Sequence, residues 1–276
     1  MKIGIVANQT KKDADFLADK IIRYLENLGI ETVYCSGIYE NNQEALLLNN
    51  SDFIIVLGGD GTILGLVRVL GNRKIPVLGI NFGTLGFIAE TDPDDYLCAV
   101  DRLLAGDYLI SERIMLKGSV YKKEYSEPKV YYSMNEFVLS KSENVRLLSI
   151  DTYINDNFLV NYKADGIIVA CATGSTAYNL SAGGPVMHPG VKAYIITPIC
   201  PHTLNERPLI VPEGEIFAVK SAQGQKALFS IDGQCNEIIS GDDYVKIEVS
   251  RDRIRLVEFN RTGFYDKLKS RLFWGK

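Results

Sequence analysis

The chain has 276 residues, 46% of them hydrophobic and 23% charged, with a net charge of −4. This is the balance of a globular protein of one large or two ordinary domains, and it gives no electrostatic case for nucleic acid or an anionic membrane as the main partner. No apolar run approaches the roughly 18 residues of a membrane span. Five scattered cysteines without a C-x-x-C pair read as the reduced thiols of a cytoplasmic protein, with neither zinc site nor disulfide frame suggested.

Met1 and Lys2 lead directly into an apolar strand, Ile3 to Ala7, with no signal-peptide h-region between. A polar loop comes next, then a helix whose apolar positions Leu17, Ile21, Tyr24, Leu25 and Leu28 recur at helical spacing, with Gly29 as its stop. Ile30 to Cys35 reads as the next strand. Phe53 to Leu57 is another, short and β-branched enough for a sheet covered on both faces. Gly58, Gly59 and Gly61 then allow a sharp turn, and Ile63, Leu64, Leu66, Val67 and Leu70 mark a helix that Thr62 is placed to cap and Gly71 to stop. A strand at Ile75 to Ile80 and a helix at Tyr96 to Leu104, ending at Gly106, continue the alternation. Such alternation predicts a mostly parallel sheet with right-handed crossovers, whose ligands lie off the carboxyl ends of the strands.

Strand, glycine turn and helix N-terminus in that order make a phosphate cradle at Gly58 to Thr62. It is neither a Walker A loop nor a G-x-G-x-x-G. Its odd member is Asp60, since a carboxylate repels phosphate. Asp60 there can hold Mg2+ or take the proton of a hydroxyl that attacks a phosphoryl group, and both imply phosphoryl transfer. The plainer use of Asp-Gly is a turn with the carboxylate bonded to local backbone. With only His188 and His202 in the chain, carboxylates are the main candidate bases.

From about Ile114 the texture becomes short alternating strands and tight turns. Ile114, Leu116, Gly118 and Val120 alternate, and Asn155-Asp156-Asn157 and Gln223-Gly224 look like hairpin turns. Val245, Ile247 and Val249 are expected to pair with Ile254, Leu256 and Val257 across a turn at Ser250 to Arg253. The expected division is residues 1–105, joined by the tail 260–276, and a β-rich domain of residues 106–259. The tail interleaves Arg261, Lys267, Lys269, Arg271 and Lys276 with apolar residues, as in an amphipathic helix docking by its apolar side with a solvated basic face.

A second cluster lies in Asp165 to Pro185. Ile167 to Ala170 makes a strand, Thr173-Gly174-Ser175-Thr176 a hydroxyl-rich turn and Ala177 to Leu180 a helical turn, which together form an anion-friendly corner or a plain helix cap. Asn135-Glu136 at a strand end could grip ribose hydroxyls or be a surface bend. Asp232-Gly233 reads as a turn. Cys171 has no basic neighbour to activate it as a nucleophile.

These residues resemble the NAD kinases. The likeness rests on GGDGT at Gly58 to Thr62, GINFGTLGF at Gly79 to Phe87, the Asn135-Glu136 pair, Asp165-Gly166, TGSTAY at Thr173 to Tyr178, GGP at Gly183 to Pro185, ITPICPHTL with RPL at Ile196 to Leu209, and DGQ at Asp232 to Gln234. GGDGT alone is shared with lipid and sugar kinases, and an inactive dinucleotide sensor would be favoured had Asp60 been lost. The resemblance implies an α/β fold with a Rossmann-like N-terminal domain and a mainly β C-terminal domain, the tail folding back on the first. It implies transfer of a phosphoryl group from ATP or polyphosphate to the 2′-hydroxyl of the adenosine ribose of NAD, with Mg2+ or another divalent cation carried mainly by the donor phosphates. By the same likeness Asp60 is the catalytic carboxylate and Gly58, Gly59, Gly61 and Thr62 hold phosphate. Phe87, Asn135, Glu136, Lys163, Asp165, Thr176, Ala177, Tyr178 and Ser181 contact NAD, some of them across a subunit interface of a homodimer or homotetramer. Ala170, Cys171 and Ala172 depart from the family's usual hydroxyl- and proline-containing run before TGSTAY.

Overall fold

A computed structural model describes residues 1–37, 47–82, 86–89, 91–142, 147–203, 205–222, 224–259 and 264–272. Residues 83–85 of the GINFGTLGF stretch, Leu204 of ITPICPHTL, Gln223, Arg261 and Lys276 lie outside the described residues. The chain forms two units, one of Met1–Arg113 with Arg253–Lys276, the other of Ile114–Asp252. The divisions fall inside two long strands, so a change of sequence texture locates them only to within several residues.

In the first unit, β1 (Lys2–Ala7), β2 (Glu31–Cys35), β3 (Phe53–Gly58) and β4 (Val77–Asn81) lie parallel in the order β2-β1-β3-β4, and Leu256 pairs beside Val77. Among the described residues, the α-helices of this unit are α1 (Ala14–Asn27), α2 (Asp60–Leu70), α3 (Tyr96–Ala105) and, after the one-turn helix α4 (Tyr178–Ser181) of the second unit, the C-terminal α5 (Phe264–Leu272). Ile3, Ile5, Ile55, Leu57, Leu78 and Ile80 form one buried cluster with Leu17, Ile21 and Leu25 of α1 and Val100 and Leu103 of α3. Helix α2 buries Ile63, Leu66, Val67 and Leu70, and Gly79 of β4 leaves room for the Ile63 side chain. Gly29 and Gly106 end α1 and α3 at positive φ, where the expected stops fall. Thr62 does not cap α2. The helix starts at Asp60, with Gly59 before it, because the glycines let the chain turn two residues earlier.

The second unit is a sandwich of antiparallel sheets. One has the order β12 (Leu209–Pro212), β11 (Ala193–Ile199), β10 (Gly166–Cys171), β7 (Glu136–Lys141), β14 (Lys226–Ile231), β15 (Cys235–Ser240). The other includes β8 (Leu148–Ile154), β9 (Asn157–Ala164) and β13 (Phe217–Ser221), with β5 (Leu109–Tyr121) paired to β6 (Lys129–Ser133). Inward residues of both sheets share one core around the stacked rings of Phe137 and Phe229, 5.2 Å apart. Asn155 and Asp156, both at positive φ, make the expected tight turn between β8 and β9. The expected hairpin at Ser250 to Arg253 is absent. Tyr244–Glu258 is one strand, β16, whose first part pairs with β13. The segment has no glycine or Asn-Gly to supply a tight turn, and Ser250 is buried within the strand.

Glu237 of β15 ties down the β5–β6 hairpin, accepting from Lys122 at 3.1 Å, Lys129 at 2.5 Å and the Tyr131 hydroxyl. Burial pushes its carboxyl up, but the hydrogen bonds from Lys129, Tyr131 and Lys122 outweigh burial and hold it down at about 2. A folded pKa below the ordinary 4.5 means that this stabilisation is complete above about pH 4.5 and is lost as pH falls toward 2. Glu237→Gln is expected to cost about 1–2 kcal/mol in urea titrations at pH 7, discounted for the solvent-exposed Lys129, with the gap shrinking between pH 5 and 3. A gap independent of pH would assign the loss to packing alone.

Candidate active site

The carboxyl ends of β1 and β3 lie side by side, Ala7 opposite Leu57, at the point where the strand order reverses. The two segments that leave the sheet there are Asn8 to Asp13 and Gly59-Asp60, so the topology creates a crevice at this spot. The Asn8 amide donates to the Thr62 hydroxyl at 3.0 Å and joins them. A cleft of about 330 Å³ opens here, lined by Lys11, Gly59, Asp60, Phe82, Phe87 and Arg271 among others.

Asp60 is the first residue of α2, where helical N–H groups have no partner within the helix. Its carboxylate is held by a distant segment, which excludes the local Asp-Gly turn. Oδ2 accepts from the Phe87 N–H at 2.7 Å, and Oδ1 from Ile88 at 3.1 Å and Ala89 at 2.9 Å. Gly86 makes the approach possible, since a Cβ there would stand 1.9 Å from Oδ1. Phe87 faces the same cleft, and its carbonyl accepts from the ammonium of Lys267, on α5, at 3.3 Å.

In the second unit, Asn135-Glu136 and the Thr173 turn come together. Thr173–Thr176 is a 3-10 turn that leads into α4. A Cβ on Gly174 would stand 2.1 Å from the Asn135 carbonyl oxygen, so only glycine lets the turn sit on that backbone. Asp232 does more than turn the chain. It is buried and accepts from the Ser133 hydroxyl at 2.6 Å and from the N–H groups of Met134, Asn135 and Glu136 at 3.3, 2.9 and 3.1 Å. Thr176 and Ala177 are half-buried, and Tyr178 and Ser181 are exposed beside them. Ser175 is used internally, its one hydroxyl proton shared between the carbonyls of Ala172 at 2.7 Å and Met187 at 3.1 Å while its oxygen accepts from the Met187 N–H, so its hydroxyl is not offered to an anion. Cys171 is buried and pushed up to about 12 by burial, consistent with an inert thiol.

Glu136 is 6% exposed, and its Oε2 has no hydrogen-bond partner. Burial, then the neighbouring Asp232 charge, raises its carboxyl to about 8 from an ordinary 4.5. The folded state therefore holds a proton that the unfolded chain releases, and stability falls as pH rises from about 4.5 to about 8. Glu136→Gln is expected to be the more stable protein by about 1–3 kcal/mol at pH 9, with the difference shrinking toward pH 5. Equal stabilities at both pH values would contradict the buried, protonated carboxyl.

Lys163 and Asp165 stand apart from this corner. Lys163 is exposed near the end of β9, and Asp165 precedes β10 and pairs with Lys141 at 2.7 Å. The 173–176 turn leaves the other end of this six-residue strand, about 17 Å away at strand rise. Three polar groups are not singled out by the sequence: Lys11, the buried Asn179, which accepts from Thr197 at 2.7 Å, and the cleft position of Arg271. Contacts between residues far apart in sequence leave no periodic signal that could disclose them.

A parallel-sheet unit with a glycine turn and carboxylate at its switch point, in one chain with a β-sandwich, defines a phosphotransferase-like architecture. The family model of the ATP-NAD kinase N-terminal domain matches residues 3–108, and that of the ATP-NAD kinase C-terminal domain matches residues 134–259. An NAD kinase of Moorella thermoacetica is 37% identical over 98% of this chain and 89% of its own, and one of Solibacter usitatus 35% identical over 99% and 97%. The solved yeast NADH kinase complexed with NADH superposes with a TM-score of 0.91 at 25% identity, over 100% of this chain and 88% of that one. An Archaeoglobus fulgidus NAD kinase in complex with ATP shares the fold, with a TM-score of 0.78 at 24% identity over 98% and 99% of the two chains. The chain belongs to the NAD kinase family.

Proposed function

We propose that the protein transfers the terminal phosphoryl group of ATP, or of polyphosphate, to the 2′-hydroxyl of the adenosine ribose of NAD, with Asp60 as general base. The observation that carries this is the state of the Asp60 carboxylate. A carboxylate offers about four lone-pair sites. Three are taken by the Phe87, Ile88 and Ala89 N–H groups, which leaves one on Oδ2 for a substrate hydroxyl. A base fixed in this way loses little entropy when it meets its proton. Gly58, Gly59, Gly61 and Thr62 form the turn and first helical residues that cradle donor phosphate.

Asn135, Glu136, Thr176, Ala177, Tyr178 and Ser181 supply a dinucleotide corner, in which the unpartnered Glu136 Oε2 suits a ribose hydroxyl. Phe87 packs against the adenosine end. Lys163 and Asp165, at the far end of β10, serve a site shared with a second copy of the chain in a homodimer or homotetramer. A mass of two or four chains by light scattering is the expected result.

A divalent cation, Mg2+ or a relative, fits oxygen ligands. In this reading donor phosphates carry the ion, and Asp60 is the carboxylate that lines the same cleft. When bound it neutralises charge on the donor.

An NAD analogue lacking the adenosine 2′-hydroxyl tests the acceptor atom. It is expected to bind and yield no phosphorylated product, whereas product from it would place the transfer elsewhere.

A further inference from the structure

We propose that the C-terminal helix α5 is part of the phosphate-donor site, with Arg271 and Lys11 gripping the donor's phosphates. This rests on the kinase reading above and names side chains for its donor half. The sequence alone gives the tail a solvated basic face; the structure turns part of that face inward. Leu268 is the buried apolar anchor of α5. Beside it, the Lys267 ammonium donates to the Phe87 carbonyl, in the segment whose N–H groups hold Asp60. Four residues on from Lys267, and so on the same helix face, Arg271 lines the cleft that contains Asp60, Gly59 and Lys11.

The charges in that cleft do not balance internally. Neither the Lys11 ammonium nor the half-buried Arg271 guanidinium makes a hydrogen bond or ion pair with a described residue, whereas the Asp60 carboxylate is bonded to three N–H groups. A half-buried guanidinium that no carboxylate of a described residue pairs with gains charge-assisted hydrogen bonds when a ligand supplies the anion. A chain of phosphates supplies several, and the planar fork of Arg271 matches phosphate oxygens bidentately while Lys11 adds a point charge. Lys11 reaches the cleft because β1 ends beside β3, and Arg271 because α5 lies against the Phe87 segment. Residues far apart in sequence thus meet at one anion site. The ligand class is a linear polyanion of condensed phosphates, and the grip is on phosphate with no part in reading a base.

Arg271→Ala, Arg271→Lys, Lys11→Ala and the double alanine variant are compared with the unaltered protein by initial rates with NAD and MgATP, using inorganic tripolyphosphate as a competitor. Each alanine variant is expected to raise KM for ATP and the inhibition constant of tripolyphosphate together, by about tenfold or more, the scale of one charge-assisted hydrogen bond. KM for NAD and the melting temperature stay put, and Arg271→Lys recovers part of the loss. A merely structural helix would instead lower the melting temperature and move both KM values. Donor KM and tripolyphosphate inhibition unchanged in the double variant overturn the proposal. An unaltered protein that makes no NADP sinks the kinase reading itself, and tripolyphosphate binding by calorimetry, weakened or not in the variants, then decides the anion site by itself.

Discussion

Asp60→Asn is expected to lower turnover by about a hundredfold or more while leaving the affinity for NAD nearly unchanged, the scale of losing a general base. Asparagine keeps the size of the side chain and one carbonyl oxygen, yet it cannot accept a proton. It also replaces one carboxylate oxygen by an NH2 group, which meets an N–H donor head-on at Phe87 or at Ile88 and Ala89. The variant therefore loses one or two of the three bonds and about 1–2 kcal/mol of stability. Turnover and stability must be measured together. Turnover at the level of the unaltered protein removes Asp60 from the chemistry, and a large loss of stability with proportionate loss of turnover reduces it to a structural clamp.

Gly86→Ala separates those two roles, since it keeps the carboxylate and removes its seat. A Cβ 1.9 Å from Oδ1 is far inside contact distance, and the whole Asp60 carboxylate lies within 2.3 Å of that position. Asp60 cannot withdraw easily, because it begins a helix whose Ile63, Leu66 and Val67 are buried. The segment Gly86 to Ala89 must move, breaking the N–H contacts. The expected cost is about 2–4 kcal/mol of unfolding free energy, seen as a lower melting temperature, with turnover falling at least tenfold as the base loses its orientation. An alanine variant as stable and active as the original would show that the loop and the carboxylate do not meet.

Much of the first unit is legible in its residues. The apolar strands at Ile3 and Phe53, the glycine stops at Gly29, Gly71 and Gly106 and the strand-turn-helix order at Gly58 to Leu70 are local signals, each set by the conformations that a few neighbouring residues allow. The hairpin expected at Ser250 to Arg253 fails because alternation has the same period in one long strand as in two short ones, and only the missing turn residues distinguish them. Asp60 is conspicuous by its incongruous charge in a glycine loop. Its bonding partners are hidden, because Phe87 to Ala89 lie 27 to 29 residues away and act through backbone N–H groups that every sequence has. Asp232 is hidden in the same way: its dipeptide announces a turn, while its four donors come from residues nearly a hundred positions earlier. Arg271 reads as a solvated cation on an amphipathic helix, and only the docking of Lys267 on Phe87 turns it toward Asp60's cleft.

Phosphorylation of NAD is tested most directly by incubating the purified protein with NAD, ATP and Mg2+ and reporting product with an NADP-specific dehydrogenase. NADP that accumulates with time, and whose formation ceases when the metal is chelated, is the predicted result. No NADP with ATP or with polyphosphate, in a protein that binds NAD by calorimetry, would contradict the assignment.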